Sequence, residues 1–267
     1  MCRPAFFNVS EVKNPHMGPD IDHLTAQQQW GDLVRQFEAA GVKVETIAPV
    51  SGLEDMVFAA NQVFVGHHRQ LGKFVVPSRM RHPSRQQEVA FYVEWFRKRG
   101  YKIIDVDLGG ECLEGHGDLL WHPERDTIWA GYGFRSTRGG VEKFAAVMKS
   151  LGYRVQPLEL VDHYCYHLDT CFNPLNSEAV LVFSRAFSPA SLEAIRAGWS
   201  RVHEISREEA MQFIANGVAV NGCYLTPRIT ENLAGILARE DLRPVVVETS
   251  EFEKSGGSVF CMKAFID

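Results

Sequence analysis

The sequence predicts an α/β fold made of five copies of one unit, each strand-strand-helix-strand. Three observations carry this: five amphipathic helical stretches, a β-rich tail after each, and paired extended runs between them. Self-similarity at a period of roughly 40–60 residues marks a repeat architecture, in which no unit buries its apolar face alone. The first helical stretch runs from Gln28 to Ala40, where Trp30, Leu33, Val34 and Phe37 recur at spacings of three and four. Its tail is Gly41-Val42-Lys43-Val44-Glu45-Thr46-Ile47. The extended runs Met56–Val65 and Lys73–Pro77 follow, then a helix over Glu88–Arg99 and a tail over Gly100–Ile104. Asp118–Trp121 and Thr127–Tyr132 are the next pair, before a helix over Val141–Leu151 and the tail Gly152–Val155. Ser191–Trp199 with Arg201–Ile205, and Glu231–Glu240 with Leu242–Val247, supply the last two helix-tail pairs. Glycine takes φ > 0 cheaply, which suits the helix ends at Gly41, Gly100 and Gly152. The alternation favours α/β. The terminal strand Ser258–Ile266 is expected to pair near Ala5–Val9 and close a ring. No Pro- or Ser-rich linker interrupts the chain, so residues 1–267 read as one domain.

Composition removes several function classes. The chain has 267 residues, 45% hydrophobic and 23% charged, with 28 basic against 33 acidic side chains. That is ordinary globular composition, with enough length for a large core. A net charge of −5 argues against a nucleic-acid surface. No run approaches the ~20 apolar residues of a membrane span. The N-terminus lacks the apolar stretch of a secretory signal, so the expected location is cytoplasmic and the six cysteines are expected reduced. No C-x-x-C spacing occurs. His163 and His167 lie in a β-like stretch, not on a helix, so they do not form the helical metal pair of H-E-x-x-H. No P-loop occurs and no clear dinucleotide fingerprint. The expected site holds no metal and no cofactor, and the expected partner is a small molecule.

Four stretches carry reactive residues beside glycine or at strand ends. In Gly256-Gly257-Ser258-Val259-Phe260-Cys261 the glycines allow close backbone approach to a ligand, and Cys261 on the last strand is either a nucleophile or a buried structural thiol. In His167-Leu168-Asp169, a strand would turn both polar side chains to one face, as an acid/base beside a cation-binding carboxylate or as a surface strand. Glu114-Gly115-His116-Gly117-Asp118 sets two carboxylates around a Gly-His-Gly loop, or is a polar turn. Asp55-Met56-Val57-Phe58-Ala59-Ala60-Asn61 reads as an apolar strand ending in an amide, either functional or turn-forming.

Together with Met1-Cys2-Arg3-Pro4, Asn14-Pro15-His16-Met17 and Trp129–Ser136, these stretches, in this order, resemble the guanidine-modifying pentein superfamily. It includes arginine deiminases, dimethylarginine dimethylaminohydrolases, arginine dihydrolases and amidinotransferases. The likeness covers nearly the whole chain and is greatest to the arginine dihydrolase domain of cyanobacteria. It implies a five-bladed α/β propeller of ββαβ units. It implies Cys261 as nucleophile, His167 as general acid/base and Glu114 as the carboxylate that orients the histidine or binds guanidinium. Asp169 falls on a second guanidinium-binding carboxylate, Arg79 and Arg135 on groups that hold the substrate α-carboxylate, and Asn14 on a substrate-holding residue. Phe58 and Asp118 count among the expected substrate contacts. Asn61 stands where deiminases and dimethylarginine enzymes have Asp, as in dihydrolases. The resemblance implies a hydrolase without cofactor and allows a homo-oligomer. The implied reaction is arginine dihydrolysis, with dimethylarginine hydrolysis, amidine transfer and a non-catalytic arginine binder as alternatives. The sequence departs from the family pattern at His16, at Gln62-Val63-Phe64 and at Met262-Lys263.

Overall fold

The structure, a computed structural model, describes residues 1–18 and 20–266. Four sheets of three strands each share one topology: an antiparallel pair, a helix, then a third strand parallel to the second. The first has β1 (Val63–His68), β2 (Gly72–Pro77), α2 (Pro83–Arg97) and β3 (Lys102–Ile103), preceded in the chain by α1 (His23–Ala39). The second has β4 (Leu119–Trp121), β5 (Thr127–Tyr132), α4 (Arg138–Ser150) and β6 (Arg154–Glu159), entered through a single helical turn, α3 (Gly115–Asp118). The third has β7 (Phe172–Pro174), β8 (Ala179–Val182), α5 (Pro189–Gly198) and β9 (Arg201–Glu204). After the short α6 (Arg207–Met211), the fourth has β10 (Val218–Val220), β11 (Cys223–Thr226), α7 (Glu231–Arg239) and β12 (Arg243–Val246); α8 (Ser250–Glu253) leads to the C-terminus. A parallel partner requires a crossover, and the helix supplies it. The fifth unit has α1 and its tail, but the tail pairs only through a parallel bridge between Ile47 and Cys2.

The five helices fall where expected; the first four start earlier, and the fifth starts at Glu231 as expected. α1 begins at His23 because the Asp22 carboxylate caps Leu24 and Thr25 N–H, ahead of the apolar stripe. α2 begins at Pro83, well before Glu88. Its first turns bury Arg85 and Glu88, which an apolar pattern does not register. Apolar cores lie between sheet and helix layers: Phe64, Phe74, Ile128, Phe144 and Met148 fill one such layer.

Four expectations need correction, all at the centre of the molecule. Residues 258–266 form no strand; a turn around Cys261 replaces it, and the ends meet through Ile47 N–H bonded to the Met1 carbonyl and through Ile266 packed on the Cys2–Ile47 cluster. Asp55–Asn61 is not a strand: Glu54–Val57 is a 3₁₀ turn and extended pairing starts at Val63. Asp118 closes a helical turn, so β4 starts at Leu119. His167 is extended, but Leu168–Thr170 turns as a 3₁₀ helix in which Thr170 Oγ1 donates to the His167 carbonyl at 2.6 Å.

Candidate active site

Asn216 shapes the turn that carries Cys261. Its Oδ1 accepts the main-chain N–H of Ser258 at 3.0 Å and of Cys261 at 3.3 Å, and its carbonyl accepts Phe260 N–H at 2.8 Å. Its Nδ2 donates to Cys261 Sγ at 3.2 Å and to the Asp169 carbonyl at 3.0 Å. One buried amide thus fixes the thiol against the Asp169 segment. Sequence reasoning missed it; the Asn216-Gly217 dipeptide signals only a turn.

Cys261 Sγ donates to Asp169 Oδ2 at 3.1 Å, and both residues are buried. Burial pushes the thiol well up, and Asp169 beside it adds to the shift. Burial likewise lifts the Asp169 carboxyl to about 7. Asp169 Oδ1 is buried with no partner. A planar cation beside this pair would satisfy the free oxygen and favour the thiolate in one step.

Glu114 is fully buried and takes three donors: Arg81 N–H at 2.9 Å, Arg135 Nη1 at 3.0 Å and His167 Nε2 at 2.8 Å. Burial alone would raise its carboxyl, but the Arg135 guanidinium and the His167 contact outweigh this and hold it well below the usual carboxylate range. An ionised carboxylate only accepts, so His167 Nε2 carries the proton and Nδ1, buried without a partner, is the nitrogen left for chemistry. Asp118 Oδ2 lies 4.0 Å from His167 Nε2 and accepts from Ser136 N–H and Oγ; Oδ1 accepts Leu168 N–H. Asp118 therefore braces the His167 segment; like Glu114, His167 and Asp169, it lies outside the residues that line the small cavity beside Cys261.

Asn61 is oriented by Arg85, which lines the same cavity. Arg85 Nη1 donates to Asn61 Oδ1 at 3.0 Å, and a guanidinium has no acceptor, so the oxygen must face Arg85. Nδ2 is left buried without a partner. It sits against Gly117, where a Cβ would lie 2.4 Å from Nδ2 and 3.2 Å from the His167 ring. Arg85 is itself anchored on Glu88 at 3.2 Å and on the Asp55 carbonyl at 3.3 Å. This arginine also escaped sequence reasoning, because it sits in a helix whose apolar stripe hides it. Gly117→Ala is expected to impose an overpacking cost of about 1–3 kcal/mol and to cut turnover at least tenfold, measured by thermal melting and product formation.

Cys261, Asn61, Phe58, Asn14, Arg135, Asp55, Lys13 and Tyr166 line one cavity. Phe58 packs its ring on Gly257. Asn14 spends Nδ2 on the Ser255 carbonyl and Oδ1 on His16 N–H. Arg135 is spent on Glu114 and, at 3.0 Å, the Lys13 carbonyl, with its guanidinium over the Tyr166 ring. Arg79 does not line this cavity: its side chain is exposed, and its backbone bridges Leu113. The space beside Cys261 is about 10 Å³, room for about one water, so an amino acid enters only if the covering segment with Lys13, Asn14 and Met17 moves.

A buried thiol, a histidine on an ionised carboxylate and a second carboxylate beside the sulfur thus lie together in a chain of the guanidine-modifying pentein class, a hydrolase acting on guanidino C–N bonds. The family model described as "N,N dimethylarginine dimethylhydrolase, eukaryotic" matches residues 13–266, and the chain belongs to that family. It is 36% identical to the N(G),N(G)-dimethylarginine dimethylaminohydrolase of Mycobacterium tuberculosis, over 98% of this chain and 83% of that protein. It is 34% identical to the bifunctional arginine dihydrolase/ornithine cyclodeaminase ArgZ of Synechocystis, over 98% of this chain but only 36% of that protein. The substrate-bound N-terminal domain of ArgZ superposes with a TM-score of 0.91 at 31% identity, covering 98% of this chain and 95% of that one.

Proposed function

We propose that the chain is an arginine dihydrolase: it hydrolyses the guanidinium of arginine to a ureido group and hydrolyses that group again, giving ornithine, ammonia and carbon dioxide. The observation that carries this reading is the orientation of Asn61. With Oδ1 committed to Arg85, the amide offers the cavity only N–H. A guanidinium is all donors and gains nothing from that group. A ureido oxygen is an acceptor and does. An aspartate here would turn an acceptor to the cavity and suit the first round alone.

The roles follow from the geometry. Asp169 takes the guanidinium N–H groups while the cation favours the Cys261 thiolate. The thiol proton passes to His167 Nδ1, and sulfur attacks the guanidinium carbon. His167 delivers a proton to the departing ammonia, leaving a thiouronium on Cys261, and then takes a proton from the attacking water. Release of sulfur leaves citrulline. In the second round Asn61 Nδ2 holds the ureido oxygen, sulfur attacks the same carbon and a second ammonia leaves. Water then cleaves the thiocarbamate, and the carbamate formed on ornithine loses carbon dioxide.

The test is amino-acid product analysis with L-arginine and, separately, L-citrulline. The intact protein is expected to turn both into ornithine. Asn61→Asp is expected to accumulate citrulline and to consume supplied citrulline at least tenfold more slowly. Failure of the intact protein to consume citrulline overturns the reading. The family model and the mycobacterial relative favour a second reading, hydrolysis of methylated arginine to citrulline and dimethylamine. It takes over if arginine is untouched and dimethylarginine is consumed.

A further inference from the structure

Lys263 lies two residues beyond the nucleophile and takes no part in the chemistry above. Its side chain is 5% exposed and has neither a hydrogen bond nor an ion pair among the described residues. Its ammonium rests instead 3.1 Å from the centre of the Phe260 ring and 4.9 Å from that of Phe265. A buried ammonium without a carboxylate partner is costly, and ring faces compensate it only in part. Burial accordingly lowers Lys263 to about 7, against the opposing pull of Asp169 and Cys261.

Lys263 opens onto a cavity of about 490 Å³, within the range of small-molecule sites. The walls include Val65, Leu120, Trp121, Tyr153, Phe260 and Phe265, and none of the lining residues also lines the cavity beside Cys261. Of the three histidines on the wall, His67 is exposed and the other two are already committed. His116 holds Val65 N–H and the Leu119 carbonyl. His122 holds the Ser177 carbonyl and Trp129 Nε1. The buried amine therefore keeps its donors free, on a wall that also carries Trp121, Tyr153, Phe260 and Phe265.

We propose that this chamber is a second binding site, for a hydrophobic monocarboxylate whose carboxylate pairs with Lys263 and whose apolar body packs among Trp121, Phe260 and Phe265. One unpaired ammonium neutralises one charge. Glu124 and Asp126 at the rim outnumber Arg125 there and disfavour a dianion.

The probe is 4-fluorobenzoate, followed by fluorine NMR on the full chain after Cys261 has been alkylated with chloroacetamidine. Line broadening that benzoate reverses is expected to persist after this block. Lys263→Met is expected to weaken binding at least tenfold and Lys263→Arg to retain it. Ala219→Trp, at a half-buried lining position, narrows the chamber while leaving Lys263 in place; it is expected to weaken binding as well, and covers the case in which Lys263→Met fails to fold. No broadening at millimolar probe, equal binding by folded Lys263→Met, or loss of binding on blocking Cys261 each overturns the site.

Discussion

Cys261→Ser is expected to lose turnover by at least about 10³-fold while the protein keeps its fold, because the sulfur contributes the bond-forming atom and little packing. The more telling result concerns the state of that sulfur. Burial and the adjoining Asp169 disfavour the thiolate, so at neutral pH the resting group is a thiol donating to Asp169. A neutral alkylating agent such as iodoacetamide meets that thiol and is expected to react slowly, with a rate still rising above pH 9. A cationic agent such as chloroacetamidine brings the charge that Asp169 Oδ1 lacks and is expected to label Cys261 at least a hundredfold faster at pH 7. Equal rates for the two reagents would mean that the sulfur is activated without help from the ligand. Asp169→Asn separates the contributions. It is expected to lower the thiol pKa, since the neighbouring negative charge is gone, and to abolish the preference for the cationic reagent.

The elements legible in the sequence were those set by apolar periodicity. Trp30, Leu33 and Phe37 mark α1, and Ile128 and Ala130 mark a buried strand, because burial selects side-chain type at a fixed spacing. The segments at the centre obey a different rule. The Cys261 turn exists because Asn216, 45 residues earlier, accepts its N–H groups. The Asp55–Asn61 segment turns where local carbonyls catch Phe58 and Asn61 N–H, and it is held against Cys261 by Ala60 N–H on the Cys261 carbonyl at 3.0 Å. Such bonds between distant residues leave no periodic trace. Reactive residue types beside glycine or at expected strand ends pointed to Cys261, His167, Glu114 and Asn61. Arg79 has an exposed side chain outside the small cavity beside Cys261. Arg85, which no motif singled out, decides which way Asn61 points.

Glu114→Gln is expected to damage both catalysis and stability, and pH dependence distinguishes the two. The substitution leaves Arg135 buried without its countercharge and sets an amide against donors, a change of the kind that costs about 3–5 kcal/mol. It also releases His167 from the contact that fixes its proton on Nε2, so a loss of turnover of about 10²–10⁴-fold is expected. The sign for stability follows from the depressed carboxyl. A group whose folded pKa lies below its ordinary value of 4.5 binds fewer protons folded than unfolded near that value. Its contribution is therefore complete above pH ~5 and fades as the pH falls below 4.5. The stability gap between the intact protein and Glu114→Gln, measured by urea unfolding, is expected to be flat from pH 6 to 8 and to shrink steadily below pH 4.5. The loss of turnover, by contrast, is expected to persist wherever the protein is folded, because the displaced histidine proton does not return with pH. A stability gap independent of pH down to pH 3 would show that Glu114 stays paired without its charge, and would remove the electrostatic basis for assigning the proton on His167.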